Sequence, residues 1–278
     1  MQDVMGGAAR WEVKVHHHGL VALVDVMPRL APAGKTADYA IVQAARVSYG
    51  QGTKQVNEDR GLIRYLARHR HTTPFEMVEF KFHHVMPIFV ARQWIRHRTA
   101  NVNEYSARYS VVSDRFYRPD LENVRRQSST NRQGGQGPID ALTAQQFLDH
   151  LEKVEQNYRA YETFIEKGVA RELARIALPL SVYTEWYWKI DLHNLMHFLS
   201  LRMDAHAQQE IRDYAVAMYA LVQPIVPIAA EAFMDYELGA MRLTALEVEA
   251  IRSGRPLASD NKREQMEWEE KKTRLGIR

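Results

Sequence analysis

Two stretches of the chain commit it to a sheet. Val78, Phe80, Phe82, His84 and Met86 alternate with Glu79, Lys81, His83 and Val85. Val182, Thr184, Trp186, Trp188 and Ile190 alternate in the same way with Tyr183, Glu185, Tyr187 and Lys189. Successive strand side chains point to opposite faces, so each stretch predicts a strand with one buried face. Residues 19–27, rich in Val and bounded by Gly19 and Pro28, predict a third strand.

Helical periods fill the spaces between these strands. Helices are expected over 36–46 and over 58–68, where Leu62, Ile63, Tyr65 and Leu66 form an apolar stripe and Pro74 blocks continuation. Pro87 ends a strand and suits the first turn of a short helix over 88–95, on which Arg92 and Arg96 share a face. Residues 114–138 hold Ser, Gly, Pro and scattered Arg without a period, which predicts a long surface loop or lid. Thr143 and Gln146 read as a capping box ahead of a helix carrying Phe147, Leu151, Val154, Tyr158, Tyr161 and Ile165, stopped by Gly168. A helix over 171–177 halts before Pro179, Asp191 caps a helix over 192–201, and another runs over 206–222.

Strands mixed with helices, without a regular strand-helix alternation, predict an α+β fold: a single mixed domain with a central β-sheet flanked by helices. At 278 residues the chain is long enough for a substantial core, since a compact chain of this size buries roughly three-quarters of its extended surface. That domain is expected over 1–245. Residues 246–278 form a charged tail, expected to be a solvated helix or partly mobile and to hold no core.

The densest polar stretch is 96–108, which packs three arginines, a histidine, two asparagines, a glutamate and a serine into thirteen positions. Only Val102, Tyr105 and the two alanines there could feed a core, so the stretch reads as a site. Arg92, Arg96, Arg98, Arg108, Arg171, Arg175 and Arg202 supply guanidinium forks suited to phosphate and carboxylate. Net charge is only +3, which favours a small anionic ligand over nucleic acid. His193 and His197 lie one turn apart with His206 following, a spacing that also suits a metal face. No Gly-rich nucleotide loop is present, so a nucleotide would be held by side chains. The chain contains no cysteine, which removes thiol nucleophiles and thiolate ligands. No apolar run is long enough for a membrane helix and no signal core opens the chain, so a cytoplasmic protein is expected.

Residues 96–108 resemble the Arg-His-Arg-x-x-Ser-x-Asn-Glu-x-Ser-x-Arg signature of the flavin-dependent thymidylate synthases. Arg96, His97, Arg98, Asn103, Glu104, Ser106 and Arg108 agree, and Asn101 stands where the signature has serine. The likeness extends through Ala45-Arg46-Val47-Ser48, His71-Thr72-Thr73-Pro74-Phe75-Glu76, Pro87 to Trp94, Ala174 to Pro179 and Leu201 to Gln208.

The resemblance implies a homotetramer with active sites at subunit junctions. It implies reductive methylation of dUMP to dTMP, with 5,10-methylenetetrahydrofolate donating the one-carbon unit and NADPH reducing bound FAD. The missing cysteine agrees, because the other class of thymidylate synthase attacks uracil with a thiolate. By resemblance, Arg202 lies against the uracil edge as the activating residue. Gln93, Arg96, Glu104, Ser106, Arg108 and Arg175 match dUMP-binding positions. Ser48, His71, Thr73, Arg96, His97, Arg98, Glu104, Asp191, His193 and His197 match FAD-binding positions, with no metal. Two other readings compete: polynucleotide binding through the arginines with Tyr105 and Tyr109 stacking on bases, and a structural metal at His193, His197 and His206.

Overall fold

The computed structural model describes residues 1–6, 11–47, 59–129 and 134–277. The chain divides into two compact units, Met1–Phe233 and Met234–Arg278, a boundary ahead of the expected 245.

The strands of the first unit are β1 (Gln2–Asp3), β2 (Trp11–Val15), β3 (Gly19–Met27), β4 (Leu30–Ala31), β5 (Glu79–Pro87), β6 (Asn101–Glu104), β7 (Arg125–Gln127), β8 (Gly135–Pro138) and β9 (Tyr183–Asp191). Its helices are α1 (Asp38–Val47), α2 (Asp59–Arg68), α3 (Thr73–Glu76), α4 (Ile88–Trp94), α5 (Ala141–Glu155), α6 (Asn157–Glu166), α7 (Arg171–Ala174), α8 (Leu192–Arg202), α9 (Gln209–Val222) and α10 (Pro227–Phe233). The central sheet has the order β2-β3-β5-β9-β6, antiparallel at every step. The expected α+β class with a central sheet is therefore found.

The two alternating stretches are neighbours in that sheet. Phe80, Phe82, His84 and Met86 of β5 stand opposite Ile190, Trp188, Trp186 and Thr184 of β9, and all of them are buried. On the opposite face Lys81 stands opposite Lys189, a like-charge pair that is unfavourable in a sheet. Glu79 offsets it, since both its carboxylate oxygens accept from Lys189 Nζ at 3.0 Å.

Helices α4, α8 and α9 lie on the buried face. Trp94 of α4 stacks on Phe198 of α8 at 4.8 Å and meets Trp188 edge-on at 5.5 Å. Each ring so buried contributes about 5 kcal/mol by area, as an upper bound. Tyr214 of α9 donates to the Val85 carbonyl at 2.8 Å. Its hydroxyl abuts the start of β3, where any side chain on Gly19 would collide with it.

Several details depart from the sequence reading. Residues 96–108, read as a site in which neither a helical nor a strand period is found, contain β6, an edge strand whose four residues are all exposed. With neither face covered, it carries no alternation to read. Residues 114–138, expected as a loop or lid, hold a hairpin of β7 and β8 whose strands are exposed throughout. The cap of α5 is Asp140, which accepts from Thr143 N at 2.9 Å, and not Thr143. The apolar period that follows is divided between α5 and α6 at Gln156.

Helix α4 stops at Trp94, so Arg96 lies beyond it and does not share a helical face with Arg92. Helix α6 ends at Glu166, and Gly168 follows it with a φ of 87°, a conformation open to glycine. In the second unit, α11 (Ala245–Ser253) carries a capping box at Thr244 and Glu247, and α12 (Lys262–Leu275) follows. Trp268 is buried, and buried Glu247 accepts from Lys271 Nζ at 2.8 Å, so the expectation of a coreless tail is corrected. Among the described residues no helix is long and apolar enough to cross a membrane.

Candidate active site

Helix α8 supplies one half of the site. Asp191 starts it, with its carboxylate accepting from Asn194 N at 2.9 Å and from Asn194 Nδ2 at 2.7 Å. Leu192, Leu195, Phe198 and Leu199 point into the core. That rotation leaves His193 half-buried and His197 exposed, and it sets Arg202 in the last turn, where the helix dipole favours a cation.

The turn after α4 supplies the facing half. His97 N donates to the Trp94 carbonyl at 3.0 Å, which holds the turn closed. Its ring meets Phe198 edge-on at 4.8 Å and lies 6.2 Å from the His197 ring. Arg202 Nε donates to His97 Nε2 at 3.0 Å. Burial first, then the Arg202 charge and His197, push the His97 pKa down from 6.5 to about 4. Burial also lowers the pKa of Arg202.

Strand β6 leads from this turn to a second group. Thr184 Oγ1 donates to Glu104 Oε1 at 2.8 Å. Tyr105 N donates to the Glu185 carbonyl at 2.9 Å, and Tyr105 Oη reaches the Val111 carbonyl at 2.7 Å. Ser106 then opens a turn in which its carbonyl accepts from Tyr109 N and Ser110 N, both at 3.1 Å. Its hydroxyl lies 3.4 Å from Arg108 N. The Arg108 guanidinium sits 5.7 Å from the Tyr109 ring, and Arg171 Nη1 donates to the Tyr109 carbonyl at 2.9 Å. Behind this turn Tyr158 donates to the Val112 carbonyl and Val112 N donates to Tyr161 Oη, which anchors the segment on α6.

The other expected residues are more scattered. His71 and Thr73 are exposed at the start of α3, which packs against α8. Gln93 of α4 buries an amide oxygen that has no hydrogen-bond partner. Arg175 is exposed in a 3-10 turn after α7. Among the described residues, no hydrogen bond or ring contact ties Gln93, Thr73 or Arg175 to the Arg202–His97 pair. Ser48 lies outside the described residues.

Two contributors escaped the sequence reading. Phe198 orients the His97 ring, and Thr184 holds Glu104. Thr184 did carry a signal, because it is a hydroxyl on a strand face otherwise made of Trp and Ile.

Among the described residues no group of three His, Cys, Asp or Glu side chains is placed to hold a metal. His206 instead faces Asp204 at 2.9 Å.

Among the described residues, the side chains of Arg92, Arg96, Arg98 and Arg175 make no ion pair. Exposed guanidinium groups without carboxylate partners can receive an anion.

Comparison with known proteins narrows which anion. A family profile described as "Thymidylate synthase complementing protein" matches residues 29–228. A flavin-dependent thymidylate synthase from Dictyostelium discoideum is 69% identical over 273 residues, covering 98% of this chain and 90% of the relative. One from Gluconobacter oxydans is 56% identical over 243 residues, covering 86% of this chain and 78% of the relative. The crystal structure of PolB, a UMP/dUMP methylase from Streptomyces cacaoi bound with 5-Br UMP, aligns with a TM-score of 0.69 at 35% identity. It covers 81% of this chain and 98% of that one.

Proposed function

The chain belongs to the flavin-dependent thymidylate synthase family, and from that premise we propose that it converts dUMP to dTMP, using FAD, NADPH and 5,10-methylenetetrahydrofolate. The observation that carries the reading is the Arg202–His97 pair at 3.0 Å, with His97 flanked in sequence by Arg96 and Arg98, which have no carboxylate partner among the described residues. Residues of this kind fit two phosphorylated ligands.

Held by these residues and reduced by NADPH, FAD would supply the hydride for the methyl group. The protein's part is to bind, orient and hold charge. Arg202 stands against the uracil edge, where a fixed cation favours loss of the N3 proton. Arg108 and Arg175 hold the phosphate of dUMP. Gln93, Arg96, Glu104 and Ser106 hold its sugar and base, with Ser106 a binding residue and not a nucleophile. Arg96 and Arg98 neutralise the FAD pyrophosphate in place of a Gly-rich loop. Ser48, His71, Thr73, His97, Glu104, Asp191, His193 and His197 complete the flavin site.

The chain contains no cysteine, so thiolate attack on the pyrimidine has no residue to perform it. The catalytic residues lie within 1–245. The proposal includes a homotetramer with active sites at subunit junctions, in the cytoplasm.

The visible spectrum of the purified protein tests this reading. A flavin spectrum that bleaches on anaerobic NADPH supports it. A protein that stays colourless after reconstitution with FAD contradicts it and favours a polynucleotide-binding role.

A further inference from the structure

We infer that His97 is the positioning residue for Arg202: its neutral ring accepts the Arg202 Nε proton and thereby fixes which N–H groups the guanidinium presents. This rests on the proposed role of Arg202 at the uracil edge.

A guanidinium has N–H donors and no acceptor, so a hydrogen bond from Arg202 Nε to His97 Nε2 at 3.0 Å requires a lone pair on that nitrogen. The ring proton then sits on Nδ1. Nδ1–H becomes the one ring donor left to His97 for any contact with flavin. Protonating Nε2 would set two cationic donors against each other and break the bond.

The surroundings keep the ring in its accepting form. Phe198 covers one side of it, and the charged or titratable groups of α8 that bear on it are Arg202 and His197. Arg96 and Arg98 flank it in sequence. Burial first, then the charges of Arg202 and His197, disfavour an imidazolium and lower the His97 pKa to about 4.

The mechanical consequence concerns the arginine's freedom. A side chain in the last turn of a helix has several rotors, and an unrestrained guanidinium would sweep an arc in solvent. Tying Nε to His97 leaves the two terminal nitrogens of Arg202 facing away from the ring as a fixed fork. A preset donor geometry serves a developing negative charge better than a mobile one.

The test has a spectroscopic arm and a kinetic arm. Long-range 15N–1H spectra of the full-length protein labelled at histidine should report His97 as the Nδ1–H tautomer near pH 6. In Arg202→Ala its pKa should move back toward 6.5. His97→Phe keeps a ring but removes the acceptor; assayed at saturating FAD, it should hold the KM for dUMP within about threefold while kcat falls by roughly 30-fold or more. His97→Gln, which offers a carbonyl oxygen near the place of Nε2, should recover to within about tenfold of wild type. On the Arg202→Ala background, His97→Phe should change the rate by less than about threefold, since the two would act as one unit.

An Nε2–H tautomer overturns the inference, as does His97→Phe turning over at the wild-type rate while Arg202→Ala is impaired. A His97→Phe variant whose kcat returns to the wild-type value once FAD is saturating overturns it in favour of flavin binding alone. If Arg202→Ala itself forms dTMP at the wild-type rate, the catalytic reading of Arg202 falls and the inference with it.

Discussion

Asp38, at the start of α1, holds the first turn of α10: its carboxylate accepts from Ala229 N, 191 residues further along the chain, at 3.1 Å. The other oxygen accepts from Ile228 N at 2.9 Å, so the first turn of α10 finds its partners on α1. Asp38→Ala leaves those amides unsatisfied in the interior and should destabilise the protein by about 1–3 kcal/mol in urea denaturation. A loss below about 0.5 kcal/mol would show that other acceptors replace Asp38.

The same carboxylate should tilt stability against pH. Burial raises its pKa from 3.8 to about 6, and the amide and Thr36 hydrogen bonds that favour the ionised form only partly offset it. The folded state therefore binds this proton more tightly than the unfolded chain. Its contribution is present below about pH 4 and is lost as pH rises through about 6. Relative to Asp38→Asn, the wild-type protein should lose stability between those values. A parallel pair of stability curves would count against the burial argument.

Glu104 depends on a hydroxyl for its place. Thr184→Val keeps the shape of the side chain but removes the donor to Glu104, and should raise the KM for dUMP by roughly three- to tenfold with the fold intact, the weight of about one hydrogen bond. Steady-state kinetics with varied dUMP decide it. An unchanged KM would mean that Glu104 is oriented by its strand alone.

Asn101 opens β6 with an exposed side chain and stands opposite Lys189, so the main chain makes the pairing there. Asn101→Ser should leave dTMP formation within about tenfold, or about 1.4 kcal/mol of barrier. A larger change in either direction would give Asn101 a direct role at the ligand.

Legibility in the sequence followed burial. Strands β5 and β9 were readable because one face of each is packed under helices, and α8 because Asp191 caps it and its stripe is apolar. Strand β6 and the β7–β8 hairpin were not, because strands exposed on both faces have no reason to alternate. Composition marked 96–108 as a site and resemblance suggested roles. Neither could reveal that His97 bonds Arg202 or that Thr184 holds Glu104, since both contacts join residues about 80 or more positions apart. The Asp38 cap on α10 was hidden for the same reason.

Methylation of dUMP should take its carbon from 5,10-methylenetetrahydrofolate and its hydride from reduced flavin, with Arg202 holding the charge on the uracil. The protein loaded with FAD, reduced anaerobically and then mixed with dUMP and 5,10-methylenetetrahydrofolate, gives the most direct measurement: dTMP quantified against flavin reoxidised in a single turnover. Wild type should form the two in equal amounts. Arg202→Ala should bind and reduce flavin but form dTMP at least roughly 100-fold more slowly, about 2.7 kcal/mol of lost transition-state stabilisation. Flavin reoxidation without dTMP in the wild-type protein, or undiminished dTMP formation by Arg202→Ala, would contradict the account.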